Sequence, residues 1–338
     1  MPAVSRTDTR RVSPPLRYLS AADVIGSMPP LEERLRLAER TMTALVAEAE
    51  LPPKIGVNPR PADSFAHAMP AHLRDREPGG DLVGMKWVTG YPTNNALGAA
   101  SIHGLVLLND PATGIPIGIL DGGPITAQRT AAISGVAIRH WAPPVAGRPP
   151  SAAIVGTGVQ GRSHLPVIAH LLPGVELRLH DRYAERATAL ADEAQRLPGI
   201  GSVRTTSTAR EAIEGADVVI TAASFGPVRQ VLTNDWLTSN ALIVPVDYAT
   251  YVAAEVARDA DLFLVDERDQ FLANRAAGLF DDYPDPNATI GEALLAGTPR
   301  PTGRVLVSHL GVGLADVVFA DAILRSATAA GRGIVLPR

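Results

Sequence analysis

The stretch SAAIVGTGVQGRSHLPVIAHLL constrains this chain more than any other. An apolar strand, Ala152–Val155, runs into Gly156-Thr157-Gly158-Val159-Gln160-Gly161, and a helical pattern opens behind the last glycine. The chain must reverse there from strand to helix within a few residues, a task suited to a glycine-rich turn. In the G-x-G-x-x-G spacing each glycine has a role. Gly156 allows the tight turn, Gly158 lets a ligand approach the backbone, and Gly161 lets the helix pack on the strand. The spacing alone arises often by chance, so its context decides. VELRLHDR reads as a second strand that brings Asp181 twenty positions beyond Gly161. A pyrophosphate would meet the free N–H groups at the helix start, and Asp181 would accept hydrogen bonds from ribose hydroxyls. The segment reads as a dinucleotide site. An acid repels a 2′-phosphate and so favours NAD; Arg182, the next residue, can contact that phosphate and keeps NADP possible.

The prolines of APPVAGRPP divide two kinds of pattern. Behind them, apolar runs alternate with helical ones: AERATALADEAQRL, then VRTTSTAREAIEGADVVITAAS, then ALIVPVDY and ADLFLVDE. Strands alternating with helices imply a doubly wound parallel sheet, hence an α/β fold. Before them, Leu31 to Glu50 has amphipathic helical spacing, and LPPKIGVNPRP breaks it. Phe65 to Leu120 reads as short strands between turn clusters, a largely antiparallel sheet, with Met69 and Trp87 in its core. Ile125 to Trp141 is a helix with small residues along one side. From Val305 to Ala330 a strand is followed by a helix.

Composition serves mainly to exclude. A formal net charge of −4 offers no field to nucleic acid or an anionic membrane, and no apolar run reaches a membrane span, about 20 residues. Residues 1–14 read as a frayed polar tail, and the protein as cytoplasmic. There are no cysteines, which removes disulfides, thiolate metal sites and a thiol nucleophile; the histidines and acids show no metal-ligand spacing, so no metal is expected. Of 31 basic residues only Lys54 and Lys86 are lysines. Where arginine replaces lysine almost everywhere, a surviving ammonium marks a place that needs a compact, proton-exchanging amine.

MPAHL, GMKWVTGYPTNN, GLVLLNDPATGIPIGILDG and ITAQRTAAISGVAIRHWAPP, in that order and followed by the glycine motif, resemble the ornithine cyclodeaminase/mu-crystallin family; HLGVGLADVVFADAI resembles its closing segment. The resemblance implies a mixed-sheet N-terminal domain over 15–124 that binds substrate and dimerises, completed by about 315–338. It also implies a Rossmann domain over 125–314, with the active site in the cleft between. By motif, Lys86 in GMKWV is similar to a substrate-binding lysine and Arg129 in QRTAA to the arginine that holds the substrate carboxylate; Thr130, beside it, is taken as a cofactor contact. Lys54 in PPK stands where many members carry an arginine that also contacts the carboxylate. Asp247 in LIVPVDY resembles the catalytic aspartate.

The chemistry agrees with these roles. Hydride transfer between Cα of an amino acid and nicotinamide needs the carboxylate fixed, which Arg129 with Lys54 or Lys86 would do. Proton traffic at nitrogen needs an acid or base, and Asp247 and Lys86, tuned by mutual proximity and burial, are the candidates. The reading is an NAD(P)-dependent oxidoreductase or cyclodeaminase acting on a small amino or imino acid, in a homodimer. A ketimine reductase, an amino-acid dehydrogenase and an opine-like dehydrogenase are alternatives, and a non-catalytic ligand-binding protein is a fourth. Ornithine-type members place a glutamate before the L-M-P-like segment to hold the distal ammonium. Here that position falls on His67, with Asp63 nearby.

Overall fold

The computed structural model describes residues 14–75, 80–223, 229–247 and 251–337. The polar tail expected over 1–14 lies, but for its last residue, outside them. So do Ser224 and Tyr248, at the ends of two expected segments.

The N-terminal half builds a mixed sheet from β1 (Leu16–Leu19), β2 (Ala49–Glu50), β3 (Ile55–Val57), β4 (Phe65–Leu73), β5 (Leu82–Gly90), β6 (Ile102–Asn109) and β7 (Pro116–Asp121). The second sheet holds β8 (Ser151–Val155), β9 (Val175–His180), β10 (Ile200–Thr205), β11 (Val218–Thr221), β12 (Leu242–Pro245), β13 (Leu262–Val265), β14 (Ala288–Thr289) and β15 (Val305–Ser308). The chain's last strand, β16 (Ile334–Leu336), returns to the first sheet, antiparallel to β1. The order there is β16-β1-β7-β6-β5-β4-β2, with β3 also on β4, and β1 runs parallel to β7. The second sheet, β10-β9-β8-β11-β12-β15-β13-β14, is parallel throughout. Its β8, β11, β12 and β13 are buried along their whole length, as strands covered on both faces must be.

The helices are α1 (Ala21–Gly26), α2 (Leu31–Ala47), α3 (Gly122–Trp141), α4 (Val159–Leu171), α5 (Ala184–Ala194), α6 (Ala209–Ile213), α7 (Ala254–Arg258), α8 (Arg268–Ala276), α9 (Ile290–Leu295) and α10 (Gly313–Ala329). Two of them join the sheets. α3 packs on α2, α4, α10 and β6, and also reaches β12 and β15. α10 leaves β15 and lies across β4, β5 and β6 of the other sheet. Its Leu314, Val317, Phe319 and Ile323 are buried, and each such side chain contributes about 1.5–3 kcal/mol. Among the described residues no helix is long and apolar enough to cross a membrane.

Four details differ from the expectations. α2 ends at Ala47, and Ala49–Glu50 instead pair with His72 and Leu73. LPPKIGVNPRP is more than a breaker, for it contains β3. β1 and β16 lie in segments with no strand expected. Trp87 is not core: it is 42% exposed. Side chains alternate along a strand, so with Lys86 facing inward its neighbour must face out.

Candidate active site

The carboxyl ends of the parallel strands carry one half of the site. At β8 the chain turns through Gly156 with φ +96°, where a Cβ would lie 2.3 Å from the Ala222 carbonyl oxygen. A Cβ on Gly161 would meet Gly156 O at 2.1 Å, so the helix packs on the turn only because neither residue has a side chain. Gly158 faces open space, and among the described residues no side chain caps the start of α4. The first N–H groups of α4 are thus presented to a cradle that a pyrophosphate fits. Val159, at the rim, is 70% exposed, and Thr157 and Gln160 complete the turn. Asp181 stands next to it. Its Oδ2 accepts from Thr157 N–H at 2.8 Å and from the Thr157 hydroxyl at 2.9 Å, and its Oδ1 accepts from Tyr183 N–H at 3.0 Å. Burial raises its pKa, but these hydrogen bonds outweigh that and hold it below the usual carboxylate range. Arg182 and Arg186 both lie over the Tyr183 ring, 4.9 and 4.5 Å from its centre.

The other half is a buried knot of charge. Lys86 stands on β5 between Met69 of β4 and Val106 of β6, a register that elsewhere carries apolar residues inward. Its Nζ donates to Asp316 Oδ1 at 3.2 Å, and Arg129 Nε of α3 lies 3.4 Å from the same oxygen. Lys86, Arg129 and Asp316 are 2%, 5% and 0% exposed. One carboxylate thus serves two cations in a medium that screens little. Burial pulls the Lys86 pKa down to about 8; Asp316 works against that, while Arg129 and Lys54 add to it. Asp316 Oδ2 and Arg129 Nε are buried and have no hydrogen-bond partner among the described residues. The knot thus leaves one donor and one acceptor unanswered.

Lys54 acts on the knot, and the remaining expected groups stand at β4, β12 and α3. Lys54 Nζ donates to the Leu310 carbonyl at 3.2 Å. His67, on β4, stacks on Phe65 with ring centres 4.6 Å apart; burial first, and then Lys54, lower its pKa, so it is neutral at pH 7. Asp63 is exposed on the approach to β4. Asp247, two residues beyond β12, is 3% exposed and accepts from Ala223 N–H at 3.2 Å. Burial raises its pKa to about 6, against the hydrogen bonds it accepts. Thr130 is buried on α3, one position after Arg129.

A line of neutral groups connects the two halves. His164 of α4 holds its Nδ1 2.6 Å from the Gln160 carbonyl, which can only accept, so that nitrogen carries the proton. Burial lowers the His164 pKa to about 4, so its Nε2 is a lone pair, and the Ser134 hydroxyl 2.8 Å away donates to it. Ser134 in turn accepts from His309 Nε2–H at 2.9 Å. His309 follows β15, and burial, followed by Arg129, keeps its pKa far below the usual value.

The structure therefore brings Lys86, Arg129 and Lys54 to one place, with His67 beside Lys54. It corrects one half of an expectation: burial shifts both Lys86 and Asp247, as expected, but the charge that acts on Lys86 is Asp316 and not Asp247. Asp316, Asp266, His309, Ser134 and His164 were missed. Asp316 alone left a trace, as an acid inside the apolar run of α10. The others pair across 30 to 175 residues, which no local pattern records.

A parallel sheet with a glycine cradle, beside a mixed sheet and a helix that supply buried cations, defines a dinucleotide-binding α/β class. Within that class the chain belongs to the ornithine cyclodeaminase/mu-crystallin family, whose model matches residues 22–324. It is 32% identical over 330 residues to a nodulation efficiency protein, NfeD, of Rhizobium meliloti, covering 95% of this chain and 98% of that protein. It is 30% identical over 267 residues to ketimine reductase mu-crystallin of Mus musculus, covering 78% and 80%. Among solved structures, Δ1-pyrroline-2-carboxylate reductase of Thermococcus litoralis, in complex with NADH and L-proline, is 25% identical with a TM-score of 0.81, covering 95% and 100%. The family uses NAD(P), and its members act on imino and amino acids.

Proposed function

We propose that the protein is an NAD(P)H-dependent imine reductase for a small 2-imino acid. One observation carries the reading: buried Lys86 and Arg129 share one carboxylate, with Lys54 close by, and neutral His67 stands where a diamine substrate needs an acid. Arg129 would take the substrate carboxylate through its planar fork, with Lys54 completing the charge balance. Bound NAD(P)H supplies the hydride that adds to Cα. As it does, the C=N π electrons become a lone pair on nitrogen and take a proton. Lys86, protonated below pH about 8, donates it, and Asp247, ionised above about 6, steadies the substrate nitrogen.

The fixed carboxylate of Asp181 at the rim of the cradle favours NAD. The protein would work as a dimer, because Ile55, Trp87 and Leu105, each more than 40% exposed, line up in register across one face of the mixed sheet. Trp87→Glu should then release monomers in sedimentation.

The test of the activity is NADH and NADPH oxidation with Δ1-pyrroline-2-carboxylate and Δ1-piperideine-2-carboxylate, beside NAD with L-ornithine or L-lysine. The proposal expects oxidation with the cyclic imines, fastest between pH about 6 and 8, and no ammonia from the diamines. Ammonia release without net NADH would make the protein a cyclodeaminase instead.

A further inference from the structure

Asp266 takes no part in the chemistry above, yet it is 1% exposed at the carboxyl end of β13, within the field of Lys54 and Arg129. Its Oδ1 accepts from Glu267 N–H at 3.0 Å and its Oδ2 from Gly311 N–H at 2.7 Å, and the Leu310 N–H adds a further contact. A single side chain thus pins the turn that leads from β15 into α10.

Three arms of the site rest on that turn. Lys54 Nζ donates to Leu310 O at 3.2 Å. The Arg129 guanidinium lies against Gly311, where a Cβ would come within 2.5 Å of both Nη atoms, and Gly311 has φ +79°. His309 binds Ser134 of α3, the helix that carries Arg129. Lys54 comes from the loop before β3 and Arg129 from α3, two elements separated by most of the mixed sheet in sequence. The turn is the body both of them touch, so its position fixes the spacing between them. A carboxylate bound by two cations is sensitive to that spacing, because each charge-assisted hydrogen bond needs its own direction and length.

We propose that Asp266 is a positioning residue: by pinning the 309–311 turn it sets the distance between Lys54 and Arg129 and so the affinity for the substrate carboxylate. This rests on the reading that those cations hold a carboxylate. Asp266→Asn keeps the shape but turns one acceptor into a donor facing a backbone N–H, which frees one end of the turn. Gly311→Ala leaves Asp266 in place and pushes directly on the guanidinium.

The experiment measures binding of L-proline and of L-prolinamide, which lacks the carboxylate, to the NADH-saturated protein by titration calorimetry, alongside NADH affinity alone. Wild type should prefer L-proline. Both variants should lose about tenfold of that preference, one lost hydrogen bond's worth, with NADH affinity and L-prolinamide binding unchanged. If Asp266→Asn no longer binds NADH, its fold is lost and Gly311→Ala decides. Undiminished preference in a variant that still binds NADH overturns the inference. Equal binding of the two ligands by wild type overturns the reading of the cations themselves.

Discussion

The glycine cradle and the charge knot are two ways of building a binding site, and they fail differently. The cradle is local: six consecutive residues and one acid after the next strand, and the affinity proposed for it rests on backbone N–H groups that need only the right shape. The knot is assembled from β5, α3 and α10, with Lys54 close by, and holds charge that the fold has taken out of water. Shape is lost when a side chain is added; charge balance is lost when one is removed. The first half should therefore tolerate charge changes at its rim, while the second should respond to every change of charge.

The largest effect falls in the knot. Arg129→Ala should lower kcat/KM for any 2-imino acid by about 10²–10³, because a buried charged anchor of this kind contributes 2–5 kcal/mol. Near-normal turnover would remove Arg129 from the site. Asp316→Asn comes next. It leaves Lys86 and Arg129 facing each other without their shared anion, and should cost about 3–5 kcal/mol of stability, read as a lower midpoint in urea. The same change should pull the Lys86 pKa further down, so the alkaline limb of the pH–rate profile would move below about 8.

A smaller effect belongs to Asp247. Its pKa is raised by burial to about 6 in the fold, so the folded state binds more protons than the unfolded one between the usual carboxylate value and about 6. That contribution to stability is full at low pH and is lost as pH rises through about 6. Asp247→Asn should abolish it, flattening that part of the stability–pH curve by up to about 3 kcal/mol. A curve of unchanged shape would contradict the burial argument. The smallest effect should come from the cradle's rim: Asp181→Arg should weaken NADH by about tenfold and improve NADPH. Unchanged preference would show that the ribose end is held elsewhere, and would blur the contrast between the two halves.

That contrast also explains what could be read in advance. The cradle was legible because its parts are adjacent in sequence and each glycine answers a steric need. Lys86 was legible for another reason: a lysine on the inward register of a strand, in a chain almost without lysines, has to be paired. The same alternation should have turned Trp87 outward, and placing it in the core ignored its neighbour. Asp316 was the acid to find, since a carboxylate in an apolar helix must answer buried cations. The His164–Ser134–His309 line and the Asp266 turn could not be found this way, because their partners meet only after both sheets have formed. The two lysines and Arg129 reached one place because α3 packs against both sheets and α10, which follows β15 in the chain, lies across β4, β5 and β6.

The most direct test of the proposed reaction follows the hydride. The protein would be incubated with NADH deuterated at the transferred position and Δ1-pyrroline-2-carboxylate, and the product weighed by mass spectrometry. The account predicts proline carrying one deuterium at Cα, formed one for one with NADH consumed. Loss of ammonia from L-ornithine with no net change in NADH, and no label entering proline from the imine, would contradict it.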